Sequence, residues 1–325
     1  MLIGEKMQYE LIKCNDKNQW DKFILTSPQN NIFCSTKFLD AWLEDYELHL
    51  IKKGEFFLLG AVICMDKSGM PVVPQFMYHS VCFGQLFNNY KYHKRVNKSL
   101  EVLDYYLSEL VNQFDQISFS LFHTYEDIRS FQWFNYHEPG EGRFKIDINY
   151  TGLLDLAGVR DFDNLLMNCR TARRQEYNKC IREGFVIEES KNIEILDILH
   201  DKTFIRQDIH RSNKEKFMAT KLAKAAIEGG FGRLNICSSK DGNPASASLF
   251  LYDEKCGYYL IGASDPDYRK YGTGAYAVLD QIRWCIEQGL SMVDFVGINS
   301  PLRGDFKTSF NAMPKPYYSV IWEKP

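Results

Sequence analysis

The sequence predicts an α/β protein with α+β character, built as two tandem domains, each a mixed central sheet flanked by helices. Apolar residues alternate along strand-like runs such as Glu55–Cys64 and Gln116–Phe122, yet recur every three or four residues in Val96–Phe114, at Leu100, Leu103, Tyr106, Leu107, Leu110 and Val111. Both periods are therefore present. With 325 residues, 45% apolar and 14% aromatic, the chain has the length for about two domains and enough apolar content for a large core. Gly140–Leu156 mixes turn signals with strand-like pieces and Asp161 opens a new helical pattern, which sets the boundary near Ala157. The expected domains are 1–156 and 157–325, with strand Tyr317–Glu323 free to return to the first.

The second half reads in order as helix Phe162–Glu183, a strand at Phe185–Glu188, helices to about Gly229, and strands Arg233–Ser238, Ala245–Tyr252 and Gly257–Ala263. A glycine-containing loop, helix Gly274–Gln288, strand Met292–Val296, a short helix around Asp305–Phe310 and strand Tyr317–Glu323 follow. Three strands, a glycine loop, a helix and another strand make a mixed sheet with an anion site at its centre.

Composition excludes several classes. The 39 Lys and Arg against 42 Asp and Glu give a net charge of −3, which argues against a DNA-coating protein. No segment has the ~18 uncharged apolar residues of a membrane span, and the stretch MLIGEKMQYELIKCNDKNQW lacks a signal-peptide core, so a cytoplasmic protein is expected. The nine cysteines include no CxxC pair and read as buried thiols of a reducing compartment. No His/Cys/Asp spacing suggests a metal, and no GxSxG elbow suggests a serine nucleophile. The aromatic run Phe131–Tyr136 reads either as a core strand or as a partner surface.

The sharpest local signal is Arg269-Lys270-Tyr271-Gly272-Thr273-Gly274-Ala275, between the apolar strand YYLIGA and a long helix. Glycines at such a junction let backbone N–H groups converge, and the helix start adds partial positive charge, making a seat for a pyrophosphate; a tight turn that merely caps the helix is the alternative. Arg173 and Tyr177 stand one helical turn apart; in the Fem-type enzymes that the motifs below resemble such a pair binds the phosphate and base of the acceptor, and an Arg fork and a Tyr ring suit those groups. Pairing of the basic residues Arg173, Arg174 and Lys179 with Glu176 and Glu183 on a solvated face competes with that reading. Asp294 is placed to take a proton from an attacking ammonium, or else to cap the following turn or pair with Lys307 or Arg303. His210 lies in a polar segment that faces either a cleft or solvent.

Arg269-x-x-Gly272-x-Gly274 resembles the pyrophosphate-binding motif of GNAT-superfamily acetyltransferases. Asp294-Phe295-x-Gly297, Phe306-Lys307-x-x-Phe310 and the proline-rich approach to Tyr317-Tyr318 resemble the C-terminal signature of Fem-type peptidyltransferases and FemAB-like acyltransferases. Asn31-Ile32-Phe33-x-Ser35-x-x-Phe38-Leu39, Pro71–Gly84 and Arg173-Arg174-x-x-x-x-Lys179-x-x-x-x-Gly184 agree with it. The resemblance implies two GNAT-like domains with the acceptor between them, and acyl-CoA as co-substrate held by Arg269, Gly272, Thr273 and Gly274. It further implies acceptor contacts from Lys37, Arg173, Tyr177 and Tyr259, and Lys307 near the transferred carbonyl; Tyr259 reads equally as a core aromatic, and Lys307 as a surface lysine.

The implied activity is an acyl-CoA-dependent N-acyltransferase acting on a nucleotide-linked amino sugar of the dTDP-sugar type, in surface polysaccharide biosynthesis. The amine attacks directly, without an acyl-enzyme. A Fem-type aminoacyl-tRNA-dependent peptidyltransferase and a non-catalytic nucleotide-sugar scaffold are the alternatives. The stretch from Lys179 to Phe231 is too short for the charged helical hairpin of many tRNA users, so tRNA is not the expected partner; a homodimer is left open.

Overall fold

The computed structural model describes residues 9–73 and 78–325. The first eight residues of the N-terminal stretch and residues 74–77 of the Pro71–Gly84 motif lie outside the described residues. Two compact units divide the chain: Met1–Asn149 with Pro316–Pro325, and Tyr150–Lys315. Their limit falls within a strand, seven residues before Ala157, because that strand runs on where its turn signals suggested a break.

The first unit contains β1 (Glu10–Lys13), α1 (Lys17–Thr26), α2 (Thr36–Trp42), β2 (Asp45–Lys53), β3 (Phe56–Met65), β4 (Val81–Phe83), α3 (Tyr92–Gln113), β5 (Gln116–Ser120) and α4 (Arg129–Trp133). Helix α1 starts where the Asp16 carboxylate accepts the N–H groups of Asn18 and Gln19, satisfying two donors that the first turn leaves open. Strands β1 to β4 form an antiparallel sheet in that order. Helix α3 begins at Tyr92, four residues before the apolar periodicity, and buries Val102, Leu103, Tyr106, Leu107 and Leu110. These pack with Leu59, Ile63, Phe83, Phe119 and Phe131 into one cluster, each large side chain contributing about 1.5–3 kcal/mol by leaving water. The run Phe131–Tyr136 is no strand: Phe131 is buried on α4, while Trp133 and Tyr136 stack at 4.0 Å on the surface.

Strand β6 (Lys145–Asp155) leads into the second unit. That unit continues with α5 (Phe162–Asn168), α6 (Thr171–Arg182), β7 (Val186–Glu189), α7 (Ile193–Ile205), α8 (Asn213–Glu228), β8 (Gly232–Ser238), β9 (Pro244–Tyr252), β10 (Cys256–Ser264), α9 (Thr273–Glu287), β11 (Met292–Asp294) and α10 (Pro301–Thr308). The last strand, β12 (Met313–Glu323), pairs antiparallel with β5 from Ser319 to Glu323. The single helix expected over 162–183 is two helices. Its break is fixed by contacts distant in sequence, Arg170 N–H donating to Ser309 O and the Arg170 guanidinium gripping Asp305 with both ends.

In the second unit the strand order is β6-β11-β10-β9-β8-β7, and β10–β11 is a parallel pair. Helix α9 covers one face through Ala275, Val278, Leu279, Ile282 and Cys285; α7 and α8 cover the other through Leu196, Leu199 and Ala223. Buried Gln281 fixes α9 to the sheet, its amide donating to the carbonyls of Arg233 and Ser248. All nine cysteines are buried and unbridged. No helix among the described residues is long and apolar enough to cross a membrane.

Candidate active site

Strand β10 departs from regular alternation at one point. It pairs Tyr259 with Phe250 but Ile261 with Leu249, a bulge that leaves Leu260 opposite nothing. The extra residue swaps faces, so Tyr259 packs with the α9-side cluster and Ile261 and Ala263 with the α7-side one. Tyr259 and Gly262 then share a face. A Cβ on Gly262 would lie 1.8 Å from the Tyr259 hydroxyl, so only glycine admits the ring there.

The parallel pairing of β10 and β11 runs only from Cys256/Met292 to Tyr258/Asp294. Beyond Asp294 the chain turns through Val296 and Gly297, both left-handed at φ 48° and 79°. A β-branched residue there stores strain, of order 1–3 kcal/mol. This turn is why β11 stops at Asp294 rather than Val296. Asp294 is fully buried, and its Oδ1 accepts from the Thr151 hydroxyl and from Val296 N–H at 2.8 Å.

Lys307 enters from α10, which begins at Pro301 rather than Asp305 and so carries the side chain inward instead of leaving it on the surface. Its ammonium donates to the carbonyls of Val296 (3.0 Å) and Gly297 (2.8 Å) and lies 5.6 Å from the Tyr259 ring centroid. Burial pulls its pKa down from 10.5 to about 8, with the Asp294 carboxylate pulling the other way. Half-buried Lys307 and Tyr259 thus stand with buried Asp294 as one group at the end of the parallel pair.

The glycine loop is built as a short 3-10 turn, Pro266–Tyr271, that passes through Gly272 at φ 81° directly into α9. Gly272 N–H is used within the turn, donating to Arg269 O. The next three amides, of Thr273, Gly274 and Ala275, donate to no acceptor among the described residues, and no side chain caps the helix. Arg269 and Lys270 are exposed beside them. A Cβ on Gly274 would meet only Ser264 at 4.0 Å, whereas a Cβ on Gly272 would clash with the Glu176 side chain at Cγ. The Glu176 side chain therefore packs onto the loop, and burial raises its pKa.

Arg173 and Tyr177 do project from one side of α6, and both are engaged within the fold. The Arg173 guanidinium holds Glu176 at 3.0 Å and lies over the rings of Phe306 (5.2 Å) and Phe310 (5.8 Å). Its Nε is buried without a hydrogen bond among the described residues. The Tyr177 hydroxyl accepts from Arg283, and its ring packs between Phe162 and Tyr276. Lys37 is exposed on α2 in the first unit, and His210 is exposed in the connection between α7 and α8. Contacts thus link Phe306, next to Lys307, to Arg173, Arg173 to Glu176 and Glu176 to the glycine loop, while Tyr259 and Asp294 stand with Lys307 and Tyr177 is held by Arg283. Sequence reasoning missed Thr151 and Arg283, which give no local signal because their partners lie more than 100 residues away.

Residues 168–308 match the family model for the acetyltransferase (GNAT) domain. No curated protein is significantly similar in sequence. Among solved structures, FemX superposes with a TM-score of 0.69 at 14% identity, covering 95% of this chain and 96% of its own. L-PGS from Bacillus licheniformis gives 0.51 at 13% identity (94% and 91%). A tandem GNAT protein from the clavulanic acid biosynthesis pathway gives 0.50 at 8% identity (97% and 98%). Residues 168–308 therefore match a GNAT acetyltransferase domain, and the chain as a whole has a Fem-like double GNAT fold.

Proposed function

We propose that the protein transfers an acyl group from acyl-CoA to the amino group of a nucleotide-linked amino-deoxysugar of the dTDP-sugar type, a cytoplasmic step in surface polysaccharide biosynthesis. The observation that carries the donor assignment is the set of undonated amides at Thr273, Gly274 and Ala275. With Arg269 beside them, and once Glu176 moves off the loop to uncover buried Thr273 and Ala275, they offer a diphosphate three N–H donors and a cation at the positive end of a 15-residue helix. Tyr259 and the Lys307 ammonium then border the end of the parallel strand pair, where the thioester is held.

The free amine attacks the thioester carbonyl carbon; the C–N bond forms, the C–S bond breaks, and the sulfur leaves as the CoA thiol. Lys307 stabilises the oxygen that becomes negative in the tetrahedral intermediate. Asp294 is fully buried and bonded to Thr151, so its assigned role is to position Lys307 and the Val296–Gly297 turn, and the ammonium proton passes to water. Arg173 and Tyr177 contribute acceptor recognition once Arg173 exchanges Glu176 for a phosphate.

The Glu176 carboxylate against Gly272 supports a second reading, since a negative group beside the loop opposes a diphosphate. On that reading the donor is an aminoacyl-tRNA and the acceptor a cell-wall precursor. Thiol release from acetyl-CoA or 3-hydroxybutyryl-CoA with a panel of dTDP-amino sugars tests the first. Product formation only with charged tRNA and a cell-wall precursor establishes the second.

A further inference from the structure

We propose that the first unit carries a separate small-molecule site, for an organic anion consisting of a carboxylate or phosphate group on an apolar body. A cavity of about 540 Å³ lies within that unit, of the size that takes a small ligand. Every lining residue falls between Pro28 and Gln132.

Its polar walls are prepared for a ligand oxygen. Gln29 is 7% exposed; its Oε1 is fixed by Phe83 N–H at 2.9 Å, and its Nε2 donates to nothing among the described residues. Tyr125 is 4% exposed and lines the same cavity with its ring stacked on Phe83, and its hydroxyl has no partner among the described residues. The Gln29 Nε2 donors are open to the cavity, and the Tyr125 hydroxyl is sealed in its wall without a partner among the described residues, which is costly unless the wall rearranges onto a bound group.

The charge of the ligand follows from α3, a 22-residue helix whose first turn borders the cavity. It opens Lys91-Tyr92-His93-Lys94-Arg95, with no acidic residue and no side-chain cap. Basic groups at the positive end of a helix dipole oppose it, and an anion relieves both. Arg95 lines the cavity and meets the Tyr92 ring at 5.6 Å, with no carboxylate partner among the described residues. Of the two carboxylates in the wall, Asp127 is held by Arg129 at 2.7 Å and Glu126 is exposed at the rim. Phe83, Phe87 and Leu103 supply the apolar floor, which sets the body of the ligand.

Calorimetric titration of the full chain with 1-naphthoate, 1-naphthyl phosphate and the neutral 1-naphthalenemethanol tests this, and the tighter of the two anions identifies the head group. Both anions are expected to bind below about 1 mM and at least tenfold more tightly than the alcohol. Arg95→Gln, an exposed position, should weaken the anions about tenfold or more and leave the alcohol unchanged. Ser99→Trp, which fills the cavity, should abolish all three while the thermal midpoint stays near wild type. Equal binding of alcohol and anions, no effect of Arg95→Gln, or no binding of either anion below about 1 mM overturns the proposal.

Discussion

Two stretches follow the same order, strand, 3-10 turn, helix, strand: β4 through α3 to β5 in the first unit, and β10 through α9 to β11 in the second. In the second, the flanking strands pair in parallel, the turn ends on left-handed Gly272, and the helix opens with uncapped amides over a small-residue start, Thr273-Gly274-Ala275. In the first, β4 and β5 share no ladder among the described residues, and the helix opens with bulky and basic residues. One order of elements thus yields a phosphate-sized loop where small residues let the backbone come close. Where the helix opens with large side chains and, among the described residues, only the single bridge His79–Ser120 joins the two strand segments, a cavity borders the helix start instead. The comparison teaches that connectivity sets where a site can form, and side-chain volume at the helix start sets what it takes.

The strongest way to break this contrast is Lys307→Met. If the second-unit crossing is where chemistry occurs, kcat should fall about 10²-fold or more in the thiol-release assay with the fold retained. A variant of wild-type rate would remove Lys307 from the mechanism. Next in size is Gly272→Val. It places a side chain at φ 81° against Glu176, and should raise the KM for acyl-CoA and lower the thermal midpoint, by about 1–2 kcal/mol from the backbone alone. Gly274→Ala, whose Cβ meets only Ser264 at 4.0 Å, should leave the midpoint unchanged, and a matching loss in both would erase the distinction between the two glycines.

The third prediction concerns pH. Lys307 titrates near 8 in the folded chain against 10.5 when free, so below about pH 8 both states carry its proton and the burial penalty is fully present. As pH rises from 8 to 10.5 the folded state sheds the proton first, the unfolded state binds more, and Lys307 contributes rising stability. Denaturant titrations of wild type and Lys307→Met across this range should differ in slope in that direction. In the same window, kcat should fall as the ammonium is lost if its charge stabilises the oxyanion. The smallest effect is expected just past β12, where exposed Lys324 pairs with Asp115 at 2.9 Å. Lys324→Ala should cost about 0–1 kcal/mol, measurable as a shift of the denaturation midpoint and largely removed by salt.

The period-three and period-four pattern of α3 and the apolar runs of β3, β9 and β10 were legible because burying one face requires them. The glycine loop was legible because Gly272 and Gly274 stand between a strand and a helix. Less legible was the pairing of Arg173 with Glu176, which the i, i+3 spacing allowed but did not require. The inward path of Lys307 was hidden because α10 starts at Pro301, earlier than the local pattern implied.

By itself, then, the sequence determined the alternation of elements, the largely apolar interior and the glycine junction, since each follows from local dihedral freedom and from the removal of apolar surface from water. Tertiary structure alone decided that Asp294 is sealed by Thr151, that Tyr177 is held by Arg283 and that a bulge turns Tyr259 toward Lys307. It also decided that Gln29 and Tyr125 line one cavity. These depend on residues far apart in the chain, whose meeting is fixed by packing rather than by any neighbour in sequence.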